Sequence, residues 1–191
     1  MRGPTGETIS GYRLVNIPKT KPVLFLAFLT ATACSIHIFE NLVMRMLPIP
    51  FIRIGLSNII VLYLILEGRS GSALVVNIVK SVVGGIATLT LLTPGTMLSM
   101  AGGFSATIAM LAAKYAHAGF TVYGISVCGA IAHNMAQLVI VRYVVMMRDQ
   151  VFMLTPILIL LGMFSGILTA YLLELVMDKM KETRFEDNEK C

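Results

Sequence analysis

Charged residues are scarce in this sequence. Only 13% of the 191 residues are Asp, Glu, Lys or Arg, whereas 57% are hydrophobic. Few soluble domains could cover so much apolar surface, so the composition predicts an integral membrane protein. The net charge is +5, and a basic balance in such a chain indicates membrane orientation rather than a nucleic-acid partner.

Cysteines and catalytic motifs are also few. Cys34, Cys128 and Cys191 are scattered without C-x-x-C spacing, so neither a disulfide framework nor a zinc site is predicted. The sequence contains no Walker A motif, no G-x-S-x-G elbow and no H-E-x-x-H pair. We therefore expect a protein that is not an enzyme and that holds no metal and no cofactor.

Long apolar runs are what the sequence does contain. A membrane-spanning helix needs roughly 17–25 mostly apolar residues. Six runs approach this length, at Pro22–Val43, Arg53–Leu66, Ser72–Leu92, Met97–Ala113, Phe120–Met147 and Val151–Met177. They predict an all-α integral membrane protein with six transmembrane helices at 22–177, a tail at 1–21 and a charged tail at 178–191. The alternative for the first run, a signal peptide cleaved near Cys34, is disfavoured because the run continues past that residue.

Lys and Arg residues are distributed unequally between the predicted connections. If both termini are cytoplasmic, ten of them lie inside, and only Arg45, Arg53 and Arg148 lie outside. This asymmetry predicts a multi-pass protein of the cytoplasmic membrane with both termini inside.

Several polar side chains interrupt the apolar runs. An ionisable group at mid-bilayer costs roughly 2.5–3.5 kcal/mol, so it normally faces the protein interior or a watery cavity. His37, Glu40 and Asn41 have i, i+3, i+4 spacing and share one helix face. With the topology above, several polar groups fall in the outer half of the membrane, which predicts a polar cavity open to the outside and floored by His133 and Asn134. The candidate substrate-binding residues are His37, Glu40, Asn41, Arg53, Asn58, Lys80, Gly102, Gly103, His133, Asn134 and Gln137.

Each of these residues also has a structural interpretation. His133 and Asn134 could form interhelical hydrogen bonds, and Glu40 could form a structural ion pair. Lys80 could extend to the cytoplasmic surface, and Arg142 to the outer headgroups. The glycine pairs in "VVGGIA" and "MAGGFSA" allow either close helix packing or a ligand against the backbone.

Three stretches of the sequence resemble the Gx transporter family. They are "RIGLSNIIVLYLI" (53–65), "LSMAGGFSATIAM" (98–110) and especially "GISVCGAIAHNMAQL" (124–138). Members of this family are often described as heptaprenyl diphosphate synthase component I, and they are similar to the substrate-binding S components of energy-coupling factor (ECF) transporters. Arg53 stands where a lysine is common in the family, and Lys80 where an arginine is common.

The resemblance implies a six-helix, S-component-like bundle with an outward-facing pocket, capped by the connection between the first two helices. It also implies partners, namely a membrane coupling protein and two cytoplasmic ATPase subunits. The small residues Ala27 and Ala31 match the type of surface used for such docking, although ordinary internal packing is equally open. Synthase chemistry fits poorly, because aspartate-rich motifs hold Mg²⁺ and diphosphate in prenyl synthases, and this chain has only Asp149, Asp178 and Asp187.

Two functions follow from the sequence. The first is a transport protein, an S-component-like subunit that binds a small, anionic or amphipathic metabolite from the outside. The second is a membrane accessory subunit in isoprenoid-quinone biosynthesis or in membrane electron transfer, without catalytic residues of its own.

Overall fold

Helices make up the structure, a computed structural model that describes residues 22–45, 55–116, 119–147 and 149–189. A π-helical turn (Val141–Met146) extends α5, and a 3-10 helix (Asp149–Leu154) leads into α6. No strand occurs within the described ranges, which confirms the predicted all-α class. The six α-helices are α1 (Pro22–Arg45), α2 (Asn58–Leu66), α3 (Ser70–Ala87), α4 (Pro94–Tyr115), α5 (Val122–Ile140) and α6 (Thr155–Glu189).

Five helical segments are long and apolar enough to cross a membrane. They belong to α1, α3, α4, α5 with its π-helical turn, and α6 with the 3-10 helix that precedes it. Many of their large apolar side chains are exposed on the bundle surface, including Phe28, Phe104 and Phe164. An apolar exterior is what a lipid environment requires, and the bundle is consistent with the predicted membrane protein.

The second helix differs from the span predicted for it. α2 has only nine residues, or about 13 Å at 1.5 Å per residue, against a hydrocarbon core of about 30 Å. Every residue from Val61 to Leu66 is buried. A helix that is apolar on all sides is stable when neighbouring helices surround it, and α2 packs against α1, α3, α4 and α6. The first residues of the predicted span, 53 and 54, lie outside the described residues.

A glycine-based turn ends α2. Gly68 has φ +78°, a left-handed conformation that glycine adopts without a steric penalty. The N–H of Gly68 donates to the carbonyl of Ile65 at 3.0 Å, and the N–H of Arg69 donates to that of Leu64 at 2.9 Å. These two bonds form a Schellman motif, and they direct the chain back into α3.

Small residues bring α5 and α6 together. A methyl group on Gly166 would lie 2.6 Å from the Cα atom of Val127, and one on Gly162 would lie 3.1 Å from that of Ile131. Only glycine permits backbones to approach this closely. The contacts between helices also define two ends of the bundle. We call the end where α1 ends and α2 begins the polar end, and the end where α2 ends and α3 begins the opposite end.

Candidate functional site

Glu40 of α1 contacts the turn that leads into α2. The residue is 6% exposed, and its Oε1 accepts a hydrogen bond from the backbone N–H of Gly55. Gly55 has φ +74°, and its carbonyl accepts a hydrogen bond of 2.9 Å from the N–H of Asn58, the first residue of α2. The Glu40 carboxylate therefore lies at the N-terminal end of α2, where the helix dipole favours a negative charge.

Lys80 of α3 reaches the same place. Its side chain is 2% exposed, and its Nζ donates to Asn58 Oδ1 at 2.5 Å and to Ser57 Oγ at 3.2 Å. The ammonium also interacts electrostatically with the Glu40 carboxylate. An ammonium at a helix N-terminus is unfavourable, because the positive end of the helix dipole lies there. The negative charge of Glu40 offsets both the charge of the ammonium and the positive end of the dipole.

Glycines make room for polar side chains between the helices. A methyl group on Gly84 would lie 2.5 Å from Cδ2 of His37, whose Nδ1 is 3.5 Å from Ser57 Oγ. A methyl group on Gly103 would lie 2.3 Å from Asn77 Oδ1. Such positions cannot accept even an alanine without movement of the neighbouring side chain, so the glycines of α3 and α4 are matched to polar groups rather than to apolar ones.

The signature stretch of α5 forms the other side of the site. A methyl group on Gly102 would lie 2.8 Å from Cε1 of the His133 ring. His133 Nε2 is 3.0 Å from Gln137 Nε2, so the amide donates when His133 carries its proton on Nδ1. Asn134 Nδ2 donates to the carbonyl of Leu158 on α6 at 2.9 Å. The polar side chains of α5 thus reach both α4 and α6.

A small cavity lies between α2, α4, α5 and α6. About 10 Å³ of it is open to the centre of a water-sized sphere, which is roughly the space that one water molecule needs. None of its described lining residues is Asp, Glu, Lys or Arg. These lining residues are Gly55, Asn58, Met110, Ser126, Ala130, His133, Asn134, Ser165 and Thr169. The cavity as folded accepts one small polar group.

The chemistry that these groups can perform is recognition. Among the described residues no three His, Cys, Asp or Glu side chains converge where they could hold a metal ion. The buried carboxylate and the buried ammonium already interact with each other, and the cavity itself presents hydroxyls, amides and an imidazole. Such groups bind and orient a ligand through hydrogen bonds.

One comparison with known proteins identifies the family. Residues 29–176 match the family model described as heptaprenyl diphosphate synthase component I. The chain belongs to this family. No curated protein and no solved structure matches the sequence. The match covers α1 from Leu29 through most of α6, and so it includes every element of the polar end.

In this member of the component I family, most of the predicted site residues do come together. His37, Glu40, Asn58 and Lys80 converge around the start of α2, while Asn41 lies on the same face of α1 and close to Gly84. His133, Asn134 and Gln137 lie on the α5 side of the bundle. Arg53 lies outside the described residues. Gly102 and Gly103 accommodate His133 and Asn77, and a role for these two glycines in substrate binding stays a prediction.

The structure also decides between several of the alternative interpretations. Lys80 does not extend to a surface, because its ammonium is hydrogen-bonded inside the bundle. Arg142 does lie at the surface, where its Nε is 2.5 Å from Asp149 Oδ1. Ala27 and Ala31 are exposed on α1, so no residue in the part of the chain that the structure describes covers them.

Some residues of the site were not among the sequence-based candidates. Ser57 and Asn77 contact Lys80 and Gly103, respectively, and Ser126, Ser165 and Thr169 line the cavity. The signal for the last two was available, because Ser165 and Thr169 have i, i+4 spacing in an otherwise apolar helix. Single hydroxyls are common in membrane helices, however, and the pairing of α5 with α6 was needed to bring them to Ser126.

The opposite end of the bundle carries a separate set of polar contacts. Lys114 Nζ donates to the carbonyl oxygens of Ile65 and Leu66 at 2.5 and 3.3 Å. Tyr123 donates from its hydroxyl to Glu174 Oε2 at 2.6 Å. The first contact supplies hydrogen bonds to the last carbonyls of α2, and the second joins α5 to α6. None of the described cavity residues takes part in either contact.

Proposed function

We propose that this protein is a membrane transport protein, an S-component-like subunit that binds a small, anionic or amphipathic metabolite at the polar end. If both termini are cytoplasmic, as the distribution of Lys and Arg predicts, this end faces outward. The protein would then receive its substrate from outside the cell and would perform no chemistry on it.

The observation that carries the proposal is the concentration of buried polar groups at one end of an apolar bundle. Glu40 and Lys80 are buried at 6% and 2% exposure, His37 and Asn58 are also buried, and Gln137 is buried on α5. Each ionisable group in a membrane interior is costly, and packing alone can be achieved with apolar residues. A site that must bind a polar molecule is a reason to keep these groups.

Docking to other subunits is the second part of the proposal. The exposed Ala27 and Ala31 lie on one face of α1, and small residues let another membrane helix approach closely. The described residues of this chain contain no nucleotide-binding loop, so energy would come from a membrane coupling protein and two ATPase subunits. This assignment rests on the resemblance to ECF transporters.

Binding by the purified protein tests the proposal. The thermal unfolding midpoint would be measured in detergent or nanodiscs with vitamins, flavins and isoprenoid phosphates at saturating concentrations. A ligand that binds the folded state raises the midpoint by mass action. Asn134→Leu should abolish the ligand-induced rise, whereas Ser105→Ala should retain it. Ser105 is the matched control because its hydroxyl also forms an interhelical bond, to the carbonyl of Ala132 at 3.2 Å, and it does not line the cavity.

The family description favours a second function, that of an accessory subunit in heptaprenyl diphosphate synthesis. In that case the polar end would only hold the helices together or contact an isoprenoid. Affinity purification of the tagged protein distinguishes the two functions. Recovery of a soluble prenyl synthase, without ATPase subunits and without a ligand-dependent midpoint, would favour the accessory subunit and would argue against transport.

A further inference from the structure

The cavity at the polar end has hydrogen-bonding groups but no formal charge among its described lining residues. Its polar members are Asn58, Ser126, His133, Asn134, Ser165 and Thr169. We propose that this cavity recognises a neutral polar group that both donates and accepts a hydrogen bond, such as a hydroxyl or a ring amide, and that it rejects phosphate. The inference rests on the proposed function and selects an amphipathic substrate over an anionic one.

Two of the side chains that line the cavity keep acceptor capacity. Ser126 uses its hydroxyl hydrogen to bond the carbonyl of Gly166 at 2.7 Å. Asn134 uses its Nδ2 to bond Leu158 at 2.9 Å. A hydroxyl oxygen and a side-chain carbonyl can each accept further bonds, so these two bonds leave acceptors for a ligand donor.

Donors are present on the other side of the same space. Asn58 accepts from Lys80 with its Oδ1, which leaves the hydrogens of its Nδ2 for another acceptor. Thr169 lines the cavity and is 3% exposed, and its hydroxyl can donate a hydrogen bond. A ligand carbonyl or hydroxyl in the cavity would accept hydrogen bonds from these two groups.

Phosphate is excluded by charge. Burial of an unpaired charge costs far more than burial of a hydrogen-bonded neutral group. Lys80 contacts the lining residue Asn58, but its ammonium already donates to Asn58 and Ser57 and is not among the lining groups. The Glu40 carboxylate, which interacts with the same ammonium, would repel a second anion.

Size leads to the same conclusion. The cavity has room for about one water molecule, which is the space of one hydroxyl or one carbonyl oxygen. A phosphate group has five non-hydrogen atoms, counted from its chemical formula. The polar tip of a neutral ligand therefore enters the cavity without rearrangement of the helices, and a phosphate does not.

Two matched pairs of probes test this inference. Each pair differs by phosphorylation alone: riboflavin with flavin mononucleotide, and farnesol with farnesyl diphosphate. Equilibrium binding and the thermal unfolding midpoint would be measured for the purified full-length protein in nanodiscs. We expect the neutral member of at least one pair to bind and to raise the midpoint, and its phosphorylated partner to bind at least tenfold more weakly.

A pair of isosteric variants locates the contact. Thr169→Val should weaken binding of the neutral probe roughly tenfold, the effect of losing one hydrogen bond to a buried group. Thr107→Val is the control, because Thr107 is also buried but bonds the carbonyl of Gly103 on its own helix at 2.8 Å and does not line the cavity. It should bind the probe as the parent protein does.

The outcomes separate this inference from the function on which it rests. Equal or tighter binding of the phosphorylated member would overturn the inference and leave the transport proposal standing. Equal losses in Thr169→Val and Thr107→Val would also overturn it, since the effect would then come from helix packing. Absence of binding by all four probes would overturn both.

Discussion

The two ends of α2 are each contacted by a lysine from another helix, and the two lysines have different partners. At the opposite end, Lys114 donates to the backbone carbonyls of Ile65 and Leu66. At the polar end, Lys80 donates to the side chains of Ser57 and Asn58. The last carbonyls of a helix need donors and favour a cation, so Lys114 fulfils a structural requirement of α2.

No such requirement explains Lys80. The start of a helix has unpaired N–H groups and disfavours a cation, and the lysine needs Glu40 beside it to be tolerated. At the opposite end, polar side chains therefore supply hydrogen bonds that the end of α2 requires. At the polar end, there are more buried polar side chains than the start of α2 requires. An excess of buried polar groups is a mark of a binding site in a membrane protein.

The largest expected effect is at Lys80. Lys80→Met removes the cation that interacts electrostatically with the buried Glu40 carboxylate and that donates to Asn58 and Ser57, and each hydrogen bond to a charged group typically contributes about 1.5–3 kcal/mol. We expect a large fall in the thermal unfolding midpoint of the purified protein. Adding Glu40→Gln to Lys80→Met should restore part of the loss, because the uncompensated charge is then gone. If the single variant were as stable as the parent protein, the two charges would not depend on each other.

The second effect concerns the glycines of the polar end. Gly103→Ala places a methyl group 2.3 Å from Asn77 Oδ1, and overpacking of this kind typically costs about 1–3 kcal/mol. Gly71→Ala is the control, because nothing lies within 4 Å of its added methyl group. We expect the midpoint to fall in the first variant and to stay near that of the parent in the second. Equal midpoints would mean that Asn77 moves aside freely.

The third effect is expected at Lys114. Lys114→Met removes a donor to the carbonyls of Ile65 and Leu66, of which that of Ile65 keeps the Gly68 N–H as a donor. Loss of a hydrogen bond to a charged group typically costs about 1.5–3 kcal/mol when buried and less where water can replace it. Because the residue is only partly buried, we expect a loss of about 1 kcal/mol. Binding of a ligand at the polar end should not change. A change in ligand affinity would show that the two ends of α2 are coupled.

Most of the fold could be predicted from the sequence, because the length of an apolar run indicates whether a helix can span the membrane. The six helices and the turn at Gly68 follow from apolar runs and from Gly-rich breaks. The nature of α2 could not be predicted in this way. A helix surrounded by protein and a helix surrounded by lipid are both apolar on all sides, so only the packing of α1, α3, α4 and α6 around it shows which applies.

The candidate site was predictable in part. His37, Glu40 and Lys80 are conspicuous because charge is rare in this sequence, and they do converge on α2. The role of the glycines could not be predicted, because a glycine pair indicates that something lies close to the backbone but not whether it is a helix, a ligand or a side chain. In the structure the neighbours are side chains: His133 lies against Gly102, and Asn77 lies against Gly103.

The smallest effect is expected at Arg142, which lies beyond the buried groups of the polar end. Its ion pair with Asp149 is at the surface, where the Asp149 side chain is 81% exposed, and exposed pairs contribute about 0–1 kcal/mol and weaken with salt. Arg142→Gln should therefore shift the midpoint by only a few degrees at low ionic strength and by less at high ionic strength. The loss in Lys80→Met should depend less on salt, since ions screen buried charges much more weakly than exposed ones. A large, salt-independent loss in Arg142→Gln would place this residue in the buried network with Lys80.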